Sequence, residues 1–118
     1  MNKRKRGKQI EGKVASYLRS AGYQIIERNF TIRGGEIDII AREQSELVFV
    51  EVKSLKNENY IRLEQTITSK KRQTLIKTCR VWMMRNEMQD ADWRIDFVGV
   101  VASSGSIDKL KHIKNAIY

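Results

Sequence analysis

The sequence predicts an α/β layered fold in a single domain, a mixed β-sheet flanked by helices, and three observations carry that reading. Apolar residues at helical spacing open the chain. Three β-prone segments follow with only short turn signals between them, which makes them hairpin neighbours. A second helical segment then leads into a further strand, an order in which helices pack on a sheet. The order α-β-β-β-α-β belongs to neither a barrel nor a bundle.

Each element has its own signal. Ile10, Val14, Tyr17, Leu18 and Ala21 recur at helical spacing, and Gly22 supplies the stop. Ahead of them the stretch 1–8, MNKRKRGK, is expected to form a basic N-terminal arm. Tyr23 to Phe30 (YQIIERNF) reads as the first strand, and a Gly34-Gly35 turn leads to EIDIIAR, Glu36 to Arg42. Polar residues Glu43 to Glu46 connect this segment to LVFVEVKS, Leu47 to Ser54, whose Val and Phe content favours a strand. Residues 55–66 are polar and irregular, and a mobile loop is expected there. A second helix is expected from Ser69 to Met88, with Leu75, Cys79, Trp82 and Met83 on one face. WRIDFVGVVA, Trp93 to Ala102, is a further strand, and the segment from Ser106 fits either a short strand or a surface helix.

Composition narrows the function classes. Of 118 residues 41% are apolar and 31% charged, an ordinary globular balance. No apolar run approaches the roughly 18 residues that span a bilayer, and the basic N-terminus lacks the apolar stretch of a secretory signal. One cysteine, Cys79, cannot make an internal disulfide and fits a reducing compartment. A cytoplasmic protein without a membrane role is expected. Lys and Arg number 23 against 14 Asp and Glu, a net charge of +9. Such a surplus attracts polyanions, and nucleic acid is the commonest of them. An anionic membrane surface or an acidic protein would satisfy the same charge.

The residues that carry chemistry lie on two adjacent strands. Side chains alternate along a strand, so Phe49, Glu51 and Lys53 share one face of LVFVEVKS while Val48, Val50 and Val52 share the other. On its own that pattern fits a strand with one solvated face equally well. Glu36, Asp38 and Ile40 share a face of EIDIIAR, and Asp is depleted in strand interiors. If the two strands form a hairpin, Asp38 and Glu51 stand close together. Facing carboxylates repel, and a cation between them relieves the repulsion. An all-oxygen set suits Mg²⁺ or Mn²⁺, and the chain lacks the His/Cys set of a zinc site. Glu11 precedes Leu18 by seven residues, so at about 100° per residue it points within about 20° of that apolar side chain. Its carboxylate is aimed along the seam between helix and sheet, as a third acid or as one that reaches out to water.

Glu11, then G-E-I-D (Gly35 to Asp38), then V-F-V-E-V-K (Val48 to Lys53), then Lys71 with Leu75, together resemble the bacterial YraN family of predicted endonucleases. That family is similar to archaeal Holliday junction resolvases and belongs to the PD-(D/E)XK nuclease superfamily. The resemblance reaches the tail H-I-K-N-A-I, His112 to Ile117. It implies a restriction-endonuclease-like fold and a metal-dependent cut of DNA phosphodiester bonds, in branched or processed intermediates. It also implies roles. Asp38 and Glu51 would be metal ligands, completed by the Val52 backbone carbonyl, and Lys53 would position water and stabilise charge on phosphate. Glu11 would act through water or as an outer ligand, and Glu36 would form a salt bridge. A homodimer, as in junction-resolving relatives, would suit two-strand cutting. Ile10, Val14 and Ser54-Leu55 depart from the family pattern, which usually has Gly, Ala and Thr-Arg there, and a glycine usual in the loop before the second helix is missing around Ile61.

The second helix carries Lys70, Lys71 and Arg72 in its first turn, where cation and helix N-terminus can both meet phosphate. Phosphate contact is expected for Lys71 in particular, and non-specific backbone contact for Lys3, Arg4, Lys5 and Arg6. Trp82 and Trp93 read as core, Cys79 as an inert buried thiol and His112 as structural. Two function classes follow: a Mg²⁺- or Mn²⁺-dependent nuclease, or a nucleic-acid-binding module that keeps the fold without turnover. A third, an acidic-protein partner, predicts no response to divalent metal.

Overall fold

The computed structural model describes residues 3–55, 67–103 and 106–117, with the side chains of residues 3–6 and 103 left aside. The elements are α1 (Lys3–Ser20), β1 (Gln24–Ile32), β2 (Gly35–Glu43), β3 (Glu46–Leu55), α2 (Ser69–Arg85), β4 (Trp93–Ser103) and β5 (Ser106–Ile117). The strands form one sheet in the order β1-β2-β3-β4-β5. Neighbours run antiparallel except β3 and β4, which are parallel and are linked by the stretch that contains α2. This is the expected mixed sheet flanked by helices, an α/β layered fold.

Helix α1 extends to Lys3, so the basic N-terminal stretch is helical rather than a separate arm. No proline interrupts KRKRGKQ, the helix carries Gly7 in its interior, and the periodic apolar face only marks where the helix begins to pack. The helix ends as Gly22 predicts. That residue takes φ +97°, Tyr23 N–H donates to Leu18 O at 2.9 Å, and Gly22 N–H donates to Arg19 O at 3.1 Å. Ala21 lies past the helix end and is exposed, while Ala15, overlooked by the periodicity, is fully buried.

The two faces of the sheet bury separate clusters. Ile10, Val14, Ala15 and Leu18 of α1 pack on Ile39, Ala41, Val48, Val50, Val98 and Val100. Leu75, Cys79, Trp82 and Met83 of α2 pack on Ile40, Phe49, Ile95 and Phe97. Strand β3 is thus covered on both sides as far as Val50, while Glu51 is part-buried and Lys53 is exposed beyond it. Gly35 allows α2 to approach: a Cβ there would collide with Thr78 Oγ1, which is buried against the strand.

The end of the second helix differs from expectation. Helix α2 stops at Arg85, not Met88, because Glu87 turns to φ +55° and Met88 N–H folds back onto Met83 O at 2.8 Å. No glycine advertises that stop. The segment from Ser106 is a strand, β5, paired along β4. Of the loop expected at 55–66, Leu55 belongs to β3 and residues 56–66 lie outside the described residues. Among the described residues no helix is long and apolar enough to cross a membrane.

Candidate active site

Strands β2 and β3 stop pairing at one point. Their register runs from Glu43↔Glu46 to Ile39↔Val50 and would next set Asp38 against Glu51, where the ladder ends. Beyond it β2 stays with β1 and β3 stays with β4. Val52 N–H, freed from the ladder, donates instead to Asp38 Oδ2 at 2.7 Å. An Asp side chain thereby satisfies the backbone where the strands part, which is why this residue type is tolerated inside a strand.

Asp38 and Glu51 are therefore adjacent, as the hairpin predicts. Burial pushes the Asp38 carboxyl up to about 9, and its hydrogen bond with Glu51 and that residue's charge act in the same direction. The Val52 N–H works against the rise. The raised value favours the protonated form of the Asp38 carboxyl. Two acids forced together in this way accommodate one positive centre, whether a proton or a metal cation.

Glu11 approaches from α1. Burial and the Glu36 carboxylate raise its pKa, while Arg28, Asn29 and Lys8 oppose the rise. Its Oε1 is buried and has no hydrogen-bond partner among the described residues. Glu36 is exposed and forms no ion pair among the described residues, so the expected salt bridge is not made and its charge acts through space on Glu11 and Lys71. Among the described residues no three His, Cys, Asp or Glu side chains close around one point as a metal cage. The set on offer is the Asp38–Glu51 pair, the Val52 backbone and the unpartnered Glu11 oxygen, which is an oxygen set of the kind Mg²⁺ and Mn²⁺ accept.

Lys71 is placed differently from expectation. Its Nζ lies 2.9 Å from Glu51 Oε2, with Glu51 at 14% exposure and Lys71 at 50%. Burial disfavours this ammonium, but bonding to Glu51 and the charges of Asp38 and Glu36 outweigh that and hold its pKa above the usual lysine range. Thr68 caps α2 by accepting from Lys71 N at 3.1 Å, which fixes the first turn that carries the side chain. Lys53 is exposed on the Glu51 side of β3, and Lys70 and Arg72 are exposed on the first turn of α2. The side chains of Lys3, Arg4, Lys5 and Arg6 lie outside the described residues.

A second polar cluster went unrecognised in the sequence. Asp96, fully buried, accepts from Arg94 Nε at 2.9 Å and from Asn115 N at 2.9 Å, and bonds His112 Nε2 at 2.7 Å. His112 Nδ1 meets Tyr17 O–H at 3.1 Å, and Arg94 also reaches Glu43, Glu46 and the Tyr23 hydroxyl. The network ties α1 to β4, β5 and the β2–β3 turn. Asp inside a strand, the signal that singled out Asp38, is present at Asp96 too. Trp82 is core as expected, with its indole N–H on Glu27 Oε1 at 3.0 Å, and Cys79 is a buried thiol that burial pushes well above the usual range.

A model of the uncharacterised protein family UPF0102 matches residues 10–100. A UPF0102 protein of Persephonella marina is 39% identical over 111 residues, covering 94% of this chain and 91% of that protein. One from a Sulfurihydrogenibium strain is 40% identical over 116 residues, covering 98% and 96%. Among solved structures, SfsA of Pyrococcus furiosus in complex with Ca²⁺ superposes with TM-score 0.41 at 15% identity, covering 99% of this chain and 65% of that one.

Proposed function

The chain belongs to the uncharacterised protein family UPF0102, the YraN-type family that its motifs resemble, and we propose that it is a Mg²⁺- or Mn²⁺-dependent endonuclease acting on DNA. The observation that carries this reading is the Asp38–Glu51 pair at the parting of β2 and β3, buried enough to lift Asp38 to about 9. A fold gains nothing from apposed acids there unless they hold a positive centre.

In the proposed site Asp38, Glu51 and the Val52 carbonyl hold the ion, with Glu11 behind them. Bound there, a divalent ion supplies an activated water and Lewis acidity at the phosphate. The chain's own residues do the rest. Val52 N–H fixes Asp38 Oδ2, which orients the carboxylate. Lys53, exposed two residues beyond Glu51, would meet phosphate oxygens and stabilise the charge that develops on them. Lys70 and Arg72 face solvent at the α2 N-terminus, where backbone N–H groups also favour an anion. The net charge of +9 brings the polyanion in.

A binding module without turnover is the competing reading, and one observation favours it: Lys71 already neutralises Glu51 without a metal. Cleavage of duplex, single-stranded, flapped and four-way DNA with Mg²⁺ and with Mn²⁺ decides between them. Metal-dependent cutting that Asp38→Ala and Glu51→Ala each abolish, with DNA binding retained, supports the nuclease. Metal-independent binding with no cutting of any of the four substrates supports the module.

A further inference from the structure

Helix α2 carries six basic side chains, Lys70, Lys71, Arg72, Lys77, Arg80 and Arg85, and no acidic one. Lys77 and Arg80, in its middle, are exposed and form no ion pair among the described residues. They share one flank of the helix with Gln73 and Met84, at the i, i+4, i+7 and i+11 spacing of a single stripe. Ile76 and Val81 lie half-buried beside them, and Met84 is 64% exposed. An apolar stripe with two uncompensated cations on it is open to a ligand.

The stripe walls a cavity of about 380 Å³. A second, of about 370 Å³, is bordered by Arg80, Met83, Met84, Gln89 and Trp93. Arg80 and Trp93 border a third, smaller one together with Ile76 and Ile95. Arg80 is common to all three, so they are parts of one groove that runs from α2 to the start of β4. Trp93, which reads as core in the sequence, is only half-buried. Its ring meets Phe49 edge to face, with centroids 5.8 Å apart at 85°, and that contact fixes the indole at the border of the groove.

The groove is anchored to the acid pair. Lys71 brings the first turn of α2 to Glu51, and the stripe begins two residues later at Gln73. At the far end Trp93 pairs with Leu47, which precedes Glu51 by four residues on β3, about 13 Å at strand spacing. A strand of nucleic acid at about 3.4 Å per nucleotide covers that distance with about four nucleotides. The occupant has to bring negative charge and flat apolar faces together. A duplex offers phosphates but keeps its base faces stacked inside, so Ile76, Met84 and Trp93 gain nothing from it. A single strand offers both. An acidic peptide brings charge without a stacking face.

We propose that this groove seats single-stranded DNA beside the acid pair, with Lys77 and Arg80 on its phosphates and a base stacked on Trp93. The substrate is then DNA with an unpaired arm of about four nucleotides next to the cut. The link to cleavage rests on the nuclease reading above, whereas the binding does not.

Anisotropy of labelled oligo-dT and of a hairpin duplex, in chelator, measures binding by wild type, Arg80→Gln, Trp93→Phe and Arg19→Gln. Arg19, exposed at the end of α1, controls for charge away from the groove. Arg80→Gln is expected to bind oligo-dT about tenfold more weakly, and Arg19→Gln nearly as wild type does. Oligo-dT should quench the tryptophan fluorescence of wild type and not that of Trp93→Phe, since Trp82 is buried, and the duplex should quench neither. Equal losses in Arg80→Gln and Arg19→Gln, or no quenching by oligo-dT, would reduce the contact to general charge and overturn the proposal. Poly-glutamate that displaces oligo-dT as well as unlabelled oligo-dT of equal charge does would overturn it in favour of an acidic protein partner. If the binding results hold and flapped DNA is not cut with Mg²⁺ or Mn²⁺, the nuclease reading falls and the groove stands. If Arg80→Gln cuts flapped and duplex DNA alike and at the wild-type rate, the groove falls and the nuclease reading stands.

Discussion

Lys71 Nζ and Glu51 Oε2 stand 2.9 Å apart, so the first turn of α2 supplies a cation to one of the two acids at the parting of β2 and β3. The ammonium is half exposed and tethered by a flexible stem, which makes it a counter-ion that a divalent metal can displace. Displaced, it is free to meet phosphate. Lys71→Met is therefore expected to bind Mn²⁺ more tightly than wild type, having lost the competitor. In the presence of metal its DNA affinity should fall less steeply with salt, by about 0.9 in the log–log slope for one lost phosphate contact. Unchanged metal affinity together with an unchanged slope would leave Lys71 as a surface ion pair and nothing more.

Asp38 sets the pH dependence of the metal-free protein. Its folded pKa, about 9, lies above the ordinary carboxyl value of 3.8. A raised pKa means that the folded state binds the proton more tightly than the unfolded one. The contribution to stability is then complete below pH 3.8 and is lost progressively as pH rises towards 9. Melts in chelator should show the midpoint of wild type declining across that window more than that of Asp38→Asn, which has no proton to lose. Parallel curves for the two proteins would show that Asp38 is not the titrating group.

The buried Arg94–Asp96–His112 network has the opposite sign. Burial raises the Asp96 pKa, but bonds from His112, Arg94 and Asn115 outweigh it and hold the carboxyl below its usual range. Its contribution is present above pH 3.8 and is lost as pH falls through the lowered value. Asp96→Ala breaks a buried, fully bonded pair and should cost about 3 kcal/mol in urea unfolding. Asp38→Asn should leave that acid limb in place. A loss under about 1 kcal/mol would mean that Arg94 is satisfied by Glu43 and Glu46 alone.

Gly35 tests the seat of α2. Adding a methyl group drives it into Thr78 Oγ1, whose hydroxyl donates to Thr74 O at 2.7 Å. Gly35→Ala should destabilise by about 1–3 kcal/mol, as overpacking does. Thr78→Ala in the same chain should restore part of that loss, a coupling expected of residues in contact. Strict additivity of the two changes would place the strain elsewhere.

Periodicity in the sequence was enough to read α1, the strands and the face of α2, since each follows from side-chain alternation or helical spacing. It identified the Asp38–Glu51 pair for the same reason: two acids share a face on neighbouring strands. What it missed depends on contacts or on backbone angles. The end of α2 at Arg85 rests on Glu87 adopting a left-handed turn without glycine. The ion pair of Lys71 with Glu51 went unread because the two lie distant in sequence. Asp96 was passed over, and the bonds of His112 went unread, because the partners come from α1, the β2–β3 turn and the Asn115 bulge, none of them local.

The central claim is that Asp38 and Glu51 form one shared cation site, and paired thermal melts at pH 8 with chelator and with excess Mn²⁺ test it most directly. Wild type should melt higher with Mn²⁺, as linkage requires of a ligand bound only by the folded state. Asp38→Asn should melt above wild type in chelator, because it takes up no proton on folding, and should gain little from Mn²⁺. Wild type that shows no shift with Mn²⁺, alongside an Asp38→Asn protein plainly less stable than wild type in chelator, would contradict the account.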